Sequence, residues 1–157
     1  MPNIWLLLLP FVLSIHAQAE PVLKKVIDGD TVIILDQGRT YHLRLLDIDA
    51  PESQQSFGKQ SKRTLMALCN SKITVRAIGT DPYGRTLGHL YCNRTDASQY
   101  QVAQGMAWFN SRYSSRAELA SLQQQAQQQE LGLWQQTNPT PPWLWRKHFG
   151  QHYQQRE

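Results

Sequence analysis

Three clusters of the chain mix carboxylates with arginine: Asp28-Gly29-Asp30-Thr31, Arg44-Leu45-Leu46-Asp47-Ile48-Asp49-Ala50-Pro51-Glu52 and Asp81-Pro82-Tyr83-Gly84-Arg85. Carboxylate oxygens suit a hard cation such as Ca2+, and the planar, permanently charged forks of arginine suit phosphate oxygens. A further carboxylate is then available to take a proton from water. Together these are the parts needed to hydrolyse a phosphodiester, although no single cluster requires that chemistry. Alone, Asp28-Gly29-Asp30 and Pro82-Tyr83-Gly84 are ordinary turns, and Arg44 is a surface residue with a salt bridge.

Asp30 and Asp49 are the candidate cation ligands. Ca2+ takes about six to eight oxygens, so two carboxylates leave positions for waters, a backbone carbonyl and a substrate phosphate. Arg44 sits between Leu43 and Leu45 in a strand-like run and points away from that apolar pair. A strict period of two puts Arg44 and Asp49 on opposite faces, so a shared site requires a bulge or bend near residues 47–49. Asp47 either adds to a cation site beside Asp49 or solvates a strand end. Glu52 follows Ala50-Pro51, and proline fixes its own φ and restricts the residue before it, which holds this carboxylate on a stiff segment. That stiffness suits a general base; the alternative is a helix-entry carboxylate favoured by the dipole of a helix starting near Gly58.

The elements that must carry these residues follow from the pattern. Residues 22–27 and 31–35 are rich in β-branched side chains, Asp36-Gln37-Gly38-Arg39 reads as a hairpin turn, and residues 40–48 form a third strand. Residues 58–68 read as a helix that presents Ser61, Leu65, Leu68 and Cys69 on one face and Lys59, Lys62 and Arg63 on another. Two more strands, 72–77 and 85–91, flank the Asp81–Gly84 turn, and helices follow at 98–104, stopped by Gly105, and at 114–131, stopped by Gly132. The long helix buries Leu119, Leu122 and Ala126, and its glutamine-rich run forms a solvated face. Five strands with an interposed helix fit an α+β, OB-like five-stranded β-barrel with three helices.

At 157 residues the chain has room for one domain with its own core. Residues 4–15 are almost wholly apolar and are followed by Ala17-Gln18-Ala19, the pattern of an export signal ending at residue 19 and too short to span a bilayer comfortably. Residues 1–19 hold no Lys, Arg, Asp or Glu, so the mature chain keeps the full net charge of +4. A basic domain favours polyanions, among which nucleic acid, anionic lipid and acidic glycan are not distinguished by charge. Cys69 and Cys92 are a disulfide pair in an oxidising compartment or two buried thiols, neither has zinc spacing, and His148 and His152, four apart, lie in a polar tail that reads as surface rather than as a metal site.

In order, spacing and residue identity the three clusters resemble the staphylococcal nuclease family, and the likeness runs from about Val22 to Trp134. The resemblance implies an OB-type barrel with three helices and a Ca2+-dependent nuclease acting on DNA and RNA with little base specificity. Asp30, Asp49 and the carbonyl of Ala50 would hold Ca2+, and Glu52 would be the general base. Arg44 and Arg85 would clamp the phosphate, Tyr83 would contact a nucleotide, and 3′-phosphate ends would result. The barrel would bring Cys92 beneath the helix that carries Cys69, which favours the disulfide. The ending Pro141-Pro142-Trp143-Leu144-Trp145-Arg146 resembles a segment that packs on the barrel in relatives. Departures are Pro82 in place of a basic residue, Ser98 in place of an asparagine, Asp47 at an apolar or glycine position, and a shorter connection from Glu52 to Phe57. The expected organisation is a signal at 1–19, a nuclease domain at 20–147 and a disordered polar tail at 148–157, in a monomeric, secreted or periplasmic protein without stable membrane association. The rival reading is a catalytically silent OB-type module that binds nucleic acid or protein.

Overall fold

The computed structural model describes residues 20–150. The expected export signal and residues 151–157 of the tail lie outside that range. Among the described residues no helix is long and apolar enough to cross a membrane.

Alternating burial builds the sheet. In β2 (Thr31–Asp36) Val32 and Ile34 are fully buried, as are Leu43 and Leu45 of β3 (Arg39–Leu45), while Arg44 between them faces the other way. β1 (Val22–Val26) pairs antiparallel with β2, and β2 with β3. The hairpin turn is Gln37-Gly38, with φ of 49° and 78°. Two left-handed residues match the twist of the flanking strands, which is why Gly belongs there. β6 (Thr86–Cys92) joins β3 in parallel, and β5 (Ile73–Thr80) and the short β7 (Thr95–Asp96) pair with β6. A separate two-stranded ladder joins β4 (Ile48–Asp49) to β8 (Trp108–Phe109). Helices α1 (Gly58–Leu68), α2 (Ala97–Ala103) and α3 (Ala117–Gln128) complete the expected set, with Leu65, Val102 and Leu119 fully buried in the shared core.

The α+β class is as the sequence predicts, but several details differ. The main sheet runs β1-β2-β3-β6-β5 and does not close into a barrel among the described residues. Bulges between Leu23 and Lys25 on β1 and between Ala77 and Gly79 on β5 sit on the two outermost strands, where such irregularities turn an edge away from further pairing. The third strand stops at Leu45, since Asp47 adopts a left-handed φ of 72° and breaks the run. α3 is shorter at both ends than the 114–131 span, because Arg116 is its N-cap and Glu130 turns left-handed at φ 51°. A fourth helix, α4 (Pro142–Phe149), replaces the start of the expected disordered tail: Pro142 occupies the first turn, and Arg146, Lys147 and His148 complement the dipole of the last.

Cys69 and Cys92 are disulfide-bonded with Cα atoms 4.9 Å apart, tying the end of α1 to the end of β6. Closing a loop of 23 residues lowers the freedom of the unfolded chain by an amount worth about 3 kcal/mol.

Candidate active site

The Asp28–Thr31 loop owes its shape to Asp28, whose Oδ1 accepts from the backbone N–H of Asp30 at 3.0 Å and of Thr31 at 2.8 Å. This Asx-type turn presses the loop onto α1. A Cβ on Gly29 would stand 1.8 Å from Ser61 Oγ and 2.7 Å from Ala50 Cβ, so only glycine permits the approach. Gln101 of α2, fully buried, pins the loop: its Nε2 donates to the Gly29 carbonyl at 2.7 Å and to the Ser61 carbonyl and Oγ at 3.1 Å.

Asp30 is thereby set deep in the fold. Its Oδ2 accepts from the Ala50 N–H at 2.6 Å, and its Oδ1 accepts from Thr31 Oγ1 at 3.0 Å and pairs with Arg44 Nε at 3.2 Å. The left-handed turn at Asp47 supplies the bend that the period-two argument requires, and brings Asp49 round to the side of Arg44, whose Nη2 donates to Asp49 Oδ1 at 3.2 Å. Arg44 Nη1 also donates to the Leu45 and Ile48 carbonyls. Three of its five N–H donors make hydrogen bonds, Nε lies in ion-pair contact with Asp30, and one N–H on Nη2 remains.

Glu52 is held through its backbone. Its N–H donates to Gln55 Oε1 at 3.1 Å and its carbonyl accepts from the Gln55 N–H at 2.8 Å, while Gln55 Nε2 bonds the Thr140 carbonyl. A Cβ on Gly58 would come within 2.0 Å of the Glu52 carbonyl, so the entry to α1 depends on glycine too. From α4, Arg146 reaches across: Nη1 donates to Glu52 Oε1 at 2.8 Å and Asp49 Oδ1 at 3.1 Å, and Nη2 to Asp49 Oδ2 at 2.7 Å.

The electrostatics follow from burial. Burial pushes Asp30 up to about 7 despite the nearby Arg44, with Asp28 and Asp49 adding repulsion. Asp28 is also raised by burial, partly offset by hydrogen bonding to Asp30 and by Arg44. Burial raises Glu52 as well, against the pull of Arg146. For Arg146, burial opposes the charge, but Asp49 and Glu52 more than restore it. Four carboxylates thus face two guanidiniums, an excess of two negative charges when all are ionised.

The structure therefore brings Asp30, Arg44, Asp49, Ala50 and Glu52 together. Arg85 and Tyr83 stay apart on the β5–β6 turn. Asp81 Oδ1 accepts from the Tyr83 and Arg85 N–H groups at 2.9 Å, and Arg85 Nε donates to Asp81 Oδ2 at 2.7 Å. Although burial works the other way, these bonds hold Asp81 below its usual range. The parallel register sets Arg44 opposite Leu87, so Arg85, two residues earlier, flanks the same end of β3. Asp47 takes neither role considered from sequence: Arg116 bonds it at 3.1 Å, together with Asp96 and Glu118, and locks the bend to α3. Ser98 donates its hydroxyl to the Leu46 carbonyl at 3.0 Å and anchors the same bend to α2.

Sequence reasoning missed Gln101, Gln55, Arg116 and Arg146. The one available signal for Arg146 was its place beside Trp143 and Trp145, which marks a segment that packs rather than a free tail. A cleft of about 300 Å³ opens beside Asp49, lined by Phe109, Asn110, Ser111, Arg112, Tyr113, Trp143 and Arg146.

The groups able to hold a cation are all oxygens, as a hard ion requires. They already bind positive charge, with the Arg146 guanidinium standing on Asp49 and Glu52 as a stand-in cation. Among the described residues no three His, Cys, Asp or Glu side chains form a ready-made metal cage.

A family model described as staphylococcal nuclease homologue matches residues 42–136. That segment holds Arg44, Asp49, Ala50, Glu52, Tyr83 and Arg85, while Asp30 precedes it. An uncharacterized endonuclease of Escherichia coli O157:H7 is 39% identical over 124 residues, covering 78% of this chain and 81% of the relative. An uncharacterized endonuclease of Haemophilus influenzae is 39% identical over 125 residues, 78% of this chain and 70% of its own. A micrococcal nuclease of Shigella flexneri is 36% identical over 135 residues, 78% of each chain.

Proposed function

The chain belongs to the staphylococcal nuclease family, and on that premise we propose that it is a Ca2+-dependent nuclease that hydrolyses the phosphodiester bonds of DNA and RNA with little regard to base. The observation that carries this reading is the convergence of Asp30, Arg44, Asp49 and Glu52 in one bonded cluster. A binding module needs no such set of buried, mutually repelling carboxylates.

Asp30, Asp49 and the Ala50 carbonyl would hold the ion, which when bound supplies charge to the phosphate and lowers the barrier to attack. Glu52 takes a proton from the attacking water. Its raised affinity for protons makes it a better base than an exposed carboxylate. Arg44 is largely a positioning group, offering its one remaining N–H to a phosphate oxygen. Arg85 uses only Nε on Asp81, so its two terminal nitrogens are available to the developing charge from the other side. Tyr83, three-quarters exposed, offers a face to a nucleotide. Products ending in 3′-phosphate are the outcome implied by the family resemblance. Residues 1–19 are taken as an export signal that is removed, leaving a secreted or periplasmic enzyme.

Glu52→Gln tests the reading, because it keeps size and loses the base. Single-turnover cleavage of a labelled oligonucleotide with Ca2+ should slow by roughly 10²–10⁴-fold. Near wild-type turnover would remove Glu52 from the chemistry. A wild type that stays inert with Ca2+ while still binding the oligonucleotide would favour the silent module.

A further inference from the structure

Arg146 is the arginine of the site that the nuclease reading leaves without a task. It holds both oxygens of Asp49, at 3.1 and 2.7 Å, and Oε1 of Glu52 at 2.8 Å. The Asp49 side chain is only 4% exposed, so the approach of any ion to those oxygens is confined to the side where the guanidinium lies, itself 43% exposed. Three of the four lone-pair positions of Asp49 are already taken, two by Arg146 and one by Arg44, and a cation on the same carboxylate meets the repulsion of the guanidinium beside it.

We propose that Arg146 is a further residue of this site that sets its cation requirement: the guanidinium competes with Ca2+ for Asp49, and the ion enters only as Arg146 withdraws. Withdrawal also releases Glu52 Oε1 to meet water. The inference rests on the cation reading above and adds a residue delivered by α4. Because coupling between two binding events is reciprocal, whatever Arg146 takes from Ca2+ affinity, Ca2+ takes from the docking of Arg146. Trp143 of the same helix stands edge-on to Trp108, ring centroids 6.4 Å apart, and reports on that docking.

The test is calorimetric titration of the full protein with Ca2+, repeated by Tb3+ luminescence, for wild type, Arg146→Ala and Arg146→Lys. Charge-assisted bonds of this kind are strong enough that Arg146→Ala should bind Ca2+ about tenfold more tightly or better. Arg146→Lys should fall between, since an ammonium keeps the charge and loses the fork. Lysine also keeps the test decisive should the alanine variant fold poorly. Tryptophan emission should change with Ca2+ in the wild type and far less in Arg146→Ala. Equal or weaker Ca2+ affinity in both variants overturns the inference and leaves the cation reading standing. Weaker oligonucleotide binding in Arg146→Ala with unchanged Ca2+ affinity also overturns it, and makes Arg146 a phosphate ligand instead. Failure of all three proteins to bind Ca2+ or Tb3+ overturns both.

Discussion

Gln101→Leu removes the amide that joins α2 to the Asp28–Asp30 loop while keeping a side chain of similar bulk. Of the three acceptors it loses, Ser61 Oγ still donates to the Met106 carbonyl at 2.7 Å, and the Ser61 carbonyl retains its place in the α1 ladder. The Gly29 carbonyl is the true orphan, with no other hydrogen bond among the described residues. Leaving one buried carbonyl unsatisfied costs about 1–3 kcal/mol. Leucine also removes the Gln101 Oε1, itself buried without a partner, which returns part of that cost, while the lost bonds to the Ser61 carbonyl and Oγ add to it. We therefore expect urea unfolding to show a loss of about 1–3 kcal/mol, and Tm to fall by roughly 3–10 °C. Since Gly29 precedes Asp30, Ca2+ affinity measured by calorimetry should fall alongside stability. Gln124→Leu, the same change on the exposed face of α3, should stay within about 0.5 kcal/mol. A Gln101→Leu protein that matches the Gln124→Leu control in stability and Ca2+ affinity would refute the claim that Gln101 holds the loop.

Arg44→Ala should cost about 3–5 kcal/mol in chelator, because it leaves Asp30 without its guanidinium partner in the buried site and takes one of the three bonds on Asp49, the other two coming from Arg146. Arg44→Lys should recover only part of this by chemical denaturation, and full recovery would deny the fork its role. A pH prediction follows from Asp30, whose folded state holds its proton up to about 7 against an ordinary 3.8. A carboxyl raised in this way favours folding below its unfolded value, and that contribution is lost as pH climbs from about 4 through 7. Thermal melts in chelator should accordingly fall in Tm from mildly acidic pH towards 8, and Asp30→Asn should flatten the slope.

Much of the candidate site was legible because its parts are close in sequence and each obeys a local rule. Leu43 and Leu45 fix the direction of Arg44, and arithmetic on a period of two demanded the bend that Asp47 makes with a φ of 72°. Pro51 marked Glu52 as stiffly held, and Cys69 on the inward face of α1 pointed to Cys92. What stayed hidden depends on partners distant in sequence. Gln101 looks like any helix glutamine until α1 and the loop close over it. Asp47 gives no sign that its counter-ion is Arg116, 69 residues on. Closure of the sheet into a barrel depends on edge geometry at β1 and β5, and strand patterns carry no information about bulges. The proline-rich ending signalled packing, but a helix as short as α4 has too little intrinsic propensity to be read without the surface it docks on.

The contact between Arg146 and Asp49 joins residues 97 apart, whereas the Asp30–Ala50 contact joins residues 20 apart. In chain-entropy terms, gathering the ends of the longer loop costs roughly 4 kcal/mol beyond the constant term. The ion pair shares that cost with the Trp143–Trp108 contact and the bond from Gln55 to the Thr140 carbonyl. As the chain emerges from its N-terminal end, the segment from residue 28 to residue 52 that carries Asp28, Asp30, Asp49 and Glu52 is therefore synthesised long before residue 146 exists. For that interval the acidic centre lacks the guanidinium that Arg146 later supplies, and a cation from solution can stand in its place.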